Sequence, residues 1–126
     1  MEPSPNSILV VEDTPAARKL AERMLTSLGY NVSVATNADE AIGLFNLGNR
    51  YCVLFTDVIM PGTMDGIGLA KIARTYDKNM QVIFTSGFSS MEPDDLVALR
   101  AIYITKPYRK SEIAAVLESV FKRTAQ

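Results

Sequence analysis

The sequence predicts an α/β fold built on a parallel sheet, and two observations lead to that prediction. Five short, mainly apolar runs recur along the chain, at residues 8–11, 31–36, 51–56, 82–84 and 102–105. Between them lie stretches in which apolar residues return every three or four positions, as in helices that bury one face. Strands that alternate with helices form βαβ units, in which successive strands run parallel.

The strand patterns also predict the order of the strands. The runs at 8–11, 51–56 and 82–84 are almost continuously apolar, which is typical of strands covered by helices on both faces. The run at 31–36 alternates apolar and polar residues, and the run at 102–105 mixes isoleucine with tyrosine and threonine, as expected for half-exposed edge strands. Edges at the second and fifth strands give the order 2-1-3-4-5, a flavodoxin-like doubly wound sheet with helices on both faces.

Helix ends are indicated by capping residues. Thr14 and Pro15 suit the N-cap and first position of helix one, and Gly29 suits its end. Asn37 and Glu40 form a capping-box pattern at the start of helix two. Helix three is predicted at residues 66–76, and a short fourth helix is predicted after Pro93. The other three helices each have a predicted apolar face that packs against the sheet. These faces carry Ala17, Leu20, Ala21, Met24, Leu25 and Leu28 in helix one, Ala41, Leu44, Phe45 and Leu47 in helix two, and Ile113, Val116, Leu117, Val120 and Phe121 in helix five.

Length and composition exclude several classes of function. The 126 residues, 48% of them apolar, fit one domain, predicted over residues 8–123 between an N-terminal tail at 1–7 and a C-terminal tail at 124–126. A net charge of −1 argues against a nucleic-acid-binding surface, and the absence of histidine excludes a histidine-based triad, a zinc site of the HExxH type and a phosphohistidine donor. A single cysteine within an apolar run, no membrane-length apolar stretch and no signal-peptide pattern predict a soluble, cytoplasmic chain without membrane contact.

Charged and hydroxyl side chains follow the apolar runs at one end of the predicted sheet. Glu12 and Asp13 follow the first run, Asp57 the third, Thr85 the fourth and Lys106 the fifth. Because open α/β sheets bind ligands at the carboxyl ends of their strands, we expect these side chains to converge. Each alone has an ordinary explanation, such as acids at a helix terminus or a turn aspartate, but four coincidences at successive strand ends favour a site.

The expected cluster suits metal-dependent phosphoryl transfer. Three carboxylates and one lysine leave about two uncompensated negative charges, which would recruit a cation. Oxygen ligands without histidine or cysteine suit Mg²⁺, or Mn²⁺. A carboxylate beside such an ion and a lysine is a potential nucleophile toward phosphorus, and Thr85 could donate its hydroxyl to a phosphoryl oxygen.

These motifs resemble those of the response-regulator receiver domains of two-component signalling. The resemblance extends over residues 8–123 and is carried by Glu12-Asp13, Asp57-Val58-Ile59-Met60-Pro61-Gly62 with Met64-Asp65-Gly66, Thr85-Ser86-Gly87, and Tyr103 three residues before Lys106-Pro107-Tyr108. It implies that Asp57 is the phosphoacceptor and that Lys106 bridges the carboxylates and the phosphoryl group. It also implies that Asp13, Asp57 and the backbone carbonyl of Ile59 ligate Mg²⁺, with Glu12 acting mainly through water.

The resemblance further implies partners and a switch. Thr85 and Tyr103 would form a switch pair, and a cis peptide bond is expected at Lys106-Pro107. The phosphoryl group would come from a sensor histidine kinase or a histidine phosphotransfer domain, with a phosphorylation-dependent dimer as a possible outcome. No direct nucleic-acid contact is implied, and no enzymatic activity beyond the chain's own phosphorylation and dephosphorylation.

The sequence differs from the family pattern at two places, and each difference leads to a further expectation. The pair Gly62-Thr63 makes the loop one residue longer than the shortest form, which resembles receivers fused to hybrid sensor histidine kinases. Arg109 stands where many relatives have a small capping residue, so helix five is expected to begin later and to use Ser111 as its cap.

Three alternatives remain open from the sequence. A degenerate receiver would act only as a protein-binding module. An FMN-binding flavodoxin-like protein shares the expected fold, but its phosphate loop would have to occupy the place of Glu12-Asp13, which repels phosphate. A haloacid-dehalogenase-like phosphatase would have a second acid two residues after the nucleophile, where this chain has Ile59.

Overall fold

The strands form one parallel five-stranded sheet in the order β2-β1-β3-β4-β5, which confirms the predicted order. The computed structural model describes residues 3–62, 64–87 and 93–124. Strands and helices alternate, as β1 (Ser7–Val11), α1 (Pro15–Ser27), β2 (Asn31–Ala35), α2 (Ala38–Asn46), β3 (Val53–Asp57), α3 (Gly66–Tyr76), β4 (Gln81–Ser86), α4 (Pro93–Leu99), β5 (Ile102–Thr105) and α5 (Lys110–Thr124).

Two apolar cores cover the two faces of the sheet. Because successive side chains of a strand point to opposite faces, neighbours such as Leu9 and Val10 belong to different cores. One core joins the sheet to α2, α3 and α4, and the other joins it to α1 and α5. The helices therefore lie on both faces of the sheet, as predicted.

Some element bounds differ from the expectations by one or two residues. Regular structure begins at Ser7 and ends at Thr124, one residue inside each expected tail. Strand β3 begins at Val53 and includes Asp57, and β4 includes Thr85, so these two site residues belong to the ladder. Thr63, the extra residue of the loop after β3, lies outside the described residues, as do residues 88–92.

The predicted starts of α1 and α2 are found, with altered capping contacts. Thr14 is the N-cap of α1 but forms no side-chain capping bond. Asn37 accepts a hydrogen bond from the Glu40 N–H at 2.8 Å, whereas the Glu40 carboxylate accepts from the Thr36 hydroxyl at 2.9 Å. The second hydrogen bond of the expected capping box, in which the Glu40 carboxylate would accept from Asn37, is therefore formed with Thr36 instead.

Two of the leucines assigned to buried faces are exposed instead. Leu20 is 52% exposed and lies at the rim of a surface cavity, and Leu47 is 81% exposed. Leu47 follows the last residue of α2 as its C-cap, so it no longer lies on the helical face that contacts the sheet. The end of α2 before Leu47 explains its exposure, whereas Leu20 lies inside α1 and is exposed at the cavity.

The expectation of a later start for α5 is wrong. The helix begins at Lys110, directly after Arg109. The Glu112 carboxylate accepts a hydrogen bond from the Arg109 N–H at 3.1 Å, so an acid inside the first turn replaces the cap that Ser111 was expected to supply. Across the described ranges, no helix has the length and hydrophobicity needed to span a membrane.

Candidate functional site

Hydrogen bonds of the ladder place the site residues at the carboxyl ends of the strands. Asp57, the last residue of β3, lies in register with Thr85 of β4. The Val58 N–H donates to the Thr85 carbonyl at 3.0 Å, and the Lys106 N–H donates to the Ser86 carbonyl at 2.8 Å. The backbone of the residues around Asp57 and Lys106 is therefore fixed by β4, which lies between them.

Lys106 joins two of the carboxylates. Its Nζ lies 2.7 Å from Glu12 Oε2 and 3.2 Å from Asp57 Oδ2. The Glu12 N–H continues the ladder by donating to the Ala35 carbonyl at 3.1 Å, so this carboxylate leaves a fixed backbone. The predicted convergence of Glu12, Asp57 and Lys106 is confirmed by these distances.

Burial and crowding shape the charges of the cluster. Glu12 is only 5% exposed, and this burial raises the pKa of its carboxyl even though Lys106 acts in the opposite direction. Burial alone would lower the pKa of Lys106, but its contacts with Glu12 and Asp57 outweigh that effect and raise its pKa. Lys106 therefore remains a cation at neutral pH.

The acidic residues form a set that fits a hard cation. Oxygens from Glu12, Asp13 and Asp57 all lie within 4.8 Å of one another, with Glu12 buried, Asp57 half-buried and Asp13 exposed. A donor set that consists of oxygen atoms alone suits Mg²⁺ or Mn²⁺. The exposed Asp13 leaves room for the water ligands that Mg²⁺ retains.

The loop after Asp57 holds the backbone of this residue against α3. The Ile59 N–H lies 3.4 Å from Asp57 Oδ1, while the Ile59 side chain is 56% exposed. The Gly66 N–H donates to the Val58 carbonyl at 2.8 Å. A Cβ at position 66 would lie only 2.1 Å from the Asp57 carbonyl oxygen, so the approach of α3 to the site requires glycine.

Thr85 and Tyr103 lie on adjacent strands but face different surroundings. Thr85 is 1% exposed, beside Asp57. Tyr103 lies opposite Phe84 in the ladder and packs, half-buried, against the core that includes Leu99 of α4. A change at Thr85 could therefore reach Tyr103 through β4.

Two side chains near the site were not assigned a role from the sequence. Arg18 Nη1 donates to the Glu12 carbonyl at 3.0 Å, and its position in the first turn of α1, five residues after Asp13, was the available signal. Tyr108 packs edge-on against Phe55, with ring centroids 5.9 Å apart, and burial raises the pKa of its phenol.

The peptide bond at Lys106-Pro107 is cis, as expected. Beside the site opens a mainly apolar cavity of about 410 Å³, lined by Ala17, Leu20, Gly87, Lys106, Pro107 and Tyr108.

Comparisons with known proteins agree with this geometry. The sequence model of the family described as the response regulator receiver domain matches residues 8–118 of the chain. The chain is 30% identical to the probable transcriptional regulator ycf27 of Cyanophora paradoxa over 127 aligned residues, which cover 98% of the chain and 52% of that relative. The chain thus spans about half the length of the curated relatives it matches.

Two solved structures show the same fold with appreciable identity. The receiver domain of the hybrid histidine kinase CckA is 32% identical, with a TM-score of 0.76, and the match covers 90% of this chain and 97% of that one. The response regulator TrrA of Thermotoga maritima, solved with Mg²⁺ and BeF, is 28% identical with a TM-score of 0.80, covering 91% and 98%. The sheet order, the acidic cluster and the family match together place this chain among the response regulator receiver domains of two-component signalling.

Proposed function

We propose that Asp57 accepts a phosphoryl group from a histidine of a partner protein, in a reaction that depends on Mg²⁺ or Mn²⁺. Phosphoryl transfer to an aspartate is the general function of receiver domains. The observation that supports Asp57 in this chain is its position 3.2 Å from the Lys106 ammonium, inside a cluster of three carboxylates at the end of a central strand. Asp57 is also held in place through its backbone, by β4 and by α3.

The chemical step needs positioning and charge neutralisation. A carboxylate oxygen of Asp57 forms the new bond to phosphorus while the bond from phosphorus to the donor imidazole nitrogen breaks. The electron pair stays on that nitrogen, and the imidazole leaves neutral when its other nitrogen carries a proton. Lys106 would stabilise the negative oxygens of the phosphoryl group in transit.

The carboxylates would supply the metal site. Asp13, Asp57 and the Ile59 carbonyl would hold the ion, and Glu12, which is already paired with Lys106, would act mainly through water. When bound, the ion would neutralise the carboxylates and the phosphoryl oxygens. The chain would catalyse only its own phosphorylation and dephosphorylation, and would act on no other substrate.

The switch would run from Thr85 to Tyr103. The Thr85 hydroxyl would donate to a phosphoryl oxygen on the neighbouring Asp57, and the resulting shift at β4 would alter the packing of Tyr103 against α4. The surface around β5 and α4 would then change its affinity for an output partner, which could be a second copy of the chain.

The partner that delivers the phosphoryl group would be a sensor histidine kinase or a histidine phosphotransfer domain. The apolar cavity beside Lys106 offers a surface on which such a protein could dock near Asp57. The similarity to the CckA receiver keeps a hybrid kinase as a possible context for this chain. Any contact with DNA would belong to another domain, as the ycf27 relatives extend well beyond the matched region.

The test is the intact mass of the protein after incubation with a small phosphodonor and Mg²⁺. The wild type should gain one phosphoryl group, and Asp57→Asn should gain none. Asp65→Asn is the matched control, because Asp65 is an exposed N-cap in the same loop and asparagine caps a helix equally well. A wild type that stays unlabelled would favour the degenerate, protein-binding receiver, and labelling that persists in Asp57→Asn would refute the assignment.

A further inference from the structure

Arg18 contacts the backbone of the acidic pair rather than its carboxylates. Its Nη1 donates to the Glu12 carbonyl at 3.0 Å and lies 3.4 Å from the Asp13 carbonyl. The side chain is half-buried, and its own backbone N–H is bonded to the Thr14 carbonyl at 2.9 Å in the first turn of α1. A single guanidinium nitrogen therefore connects α1 to both peptide units that carry the metal-site acids.

The connection completes the anchoring of Glu12. Its N–H is held by the Ala35 carbonyl of β2, at 3.1 Å, and its carbonyl is held by Arg18. The next peptide, at Asp13, lies beyond the end of β1, so the ladder no longer determines its orientation. Arg18 is positioned to do so.

We infer that Arg18 is a positioning residue that fixes the turn at Glu12 and Asp13 and thereby sets the affinity of the acidic site for Mg²⁺. This inference rests on the proposed function. Groups that orient metal-binding carboxylates from outside the ligand sphere typically change metal affinity by about 10- to 100-fold when they are removed. Because Arg18 holds the ligands through their backbone, we expect the lower end, about tenfold weaker binding.

A purely electrostatic effect of Arg18 would change the Mg²⁺ affinity in the opposite direction. Removal of a guanidinium that is bonded to the backbone of Glu12 and Asp13 removes a positive charge that repels Mg²⁺, so a purely electrostatic effect would tighten binding. Loss of positioning weakens it. The direction of the change therefore distinguishes the two effects.

The experiment is calorimetric titration of the whole chain with Mg²⁺, for wild type, Arg18→Gln, Arg18→Lys and Arg23→Gln. Arg23 is the matched control, because it is exposed on the same helix and its loss changes the net charge equally. Arg18→Lys keeps the charge on a side chain one bond shorter. Affinity should fall in the order wild type, Arg18→Lys, Arg18→Gln, and Arg23→Gln should bind like wild type.

Three results would overturn the inference. Arg18→Gln that binds Mg²⁺ as tightly as wild type, or more tightly, removes the positioning role and leaves the proposed function intact. Arg23→Gln that loses as much affinity as Arg18→Gln shows that the loss does not depend on the contacts of Arg18 with the Glu12 and Asp13 carbonyls. A wild type without Mg²⁺ binding contradicts the inference and the proposed function together. Melting curves without metal, together with the amide shifts of Asp13, separate a local change in the turn from a loss of folding.

Discussion

Replacement of Gly66 by alanine should damage both the fold and the site, because α3 approaches the end of β3 too closely for a side chain. The new Cβ would lie 2.1 Å from the Asp57 carbonyl oxygen and 3.0 Å from the Val58 Cα. The distance between the new Cβ and the Asp57 oxygen is shorter than ordinary van der Waals contact by at least about 1 Å. Since the obstructing atoms are backbone, no rotation of a side chain can relieve the overlap, and either α3 or the loop after β3 must move.

The expected cost follows from this geometry. Overpacking in a close-packed region costs about 1–3 kcal/mol, and a clash with backbone belongs at the upper end. For a domain of this size, about 3 kcal/mol lowers the melting midpoint by about 10 °C. A shift of about 1 Å in the Asp57 backbone should also slow phosphorylation, by up to about a hundredfold.

Gly43 provides the matched control. It lies within α2, and a Cβ there would meet nothing within 4 Å. Gly43→Ala should stabilise the protein by about 1 kcal/mol, as alanine does in an exposed helix, and should leave phosphorylation unchanged. Urea unfolding and phosphodonor kinetics on both variants measure the two effects. If Gly66→Ala is as stable and as fast as wild type, the close approach of α3 to Asp57 is refuted.

Four other perturbations test the site. Asp13→Asn should stabilise the metal-free protein by about 1 kcal/mol in urea unfolding, since like charges no more than 4.8 Å apart repel by at least about 0.9 kcal/mol even in water. Equal stability of the variant and the wild type would contradict repulsion among the three carboxylates. The pKa of Glu12 is raised in the folded protein, so protonated Glu12 stabilises the fold fully below about pH 4.5, and this stabilisation is lost as the pH rises through the pKa of the folded state. Glu12→Gln should remove this pH dependence of the free energy of unfolding. A variant with the same pH dependence as wild type would refute the raised pKa of Glu12. Ile59 cannot orient an attacking water and Gly87 has no side chain, so the double variant Ile59→Asn, Gly87→Glu should lose its phosphoryl group faster than wild type after donor removal. Beryllofluoride should move the amide resonance of Tyr103, and a fixed resonance would exclude the switch.

The strand ends were predictable from the sequence because the signals there are local. A continuous apolar run followed by Asp57, and another by Thr85, places both residues at the same edge in any parallel sheet, and the ladder brings them into register. The 2.7 Å contact of Lys106 with Glu12 joins residues far apart in the chain, but the same argument about strand ends predicts it.

Contacts that depend on packing between elements were not predictable in this way. The need for glycine at position 66 arises from the distance between α3 and Asp57, which no local pattern encodes. The reach of Arg18 back to the Glu12 carbonyl depends on how α1 leaves the sheet. The exposure of Leu47 follows from the end of α2 at Asn46, just before Gly48, which has φ +97°.

The most direct test of Asp57 as the phosphoacceptor is to locate the modified residue chemically. Borohydride reduces an aspartyl phosphate to homoserine, so the wild type treated with phosphodonor and Mg²⁺, reduced and then digested should yield homoserine at position 57 in its peptide mass spectrum. Labelling should disappear when a chelator replaces Mg²⁺. Homoserine at position 13 or at another carboxylate, or equal labelling at Asp57 without a divalent cation, would contradict metal-dependent phosphorylation of Asp57.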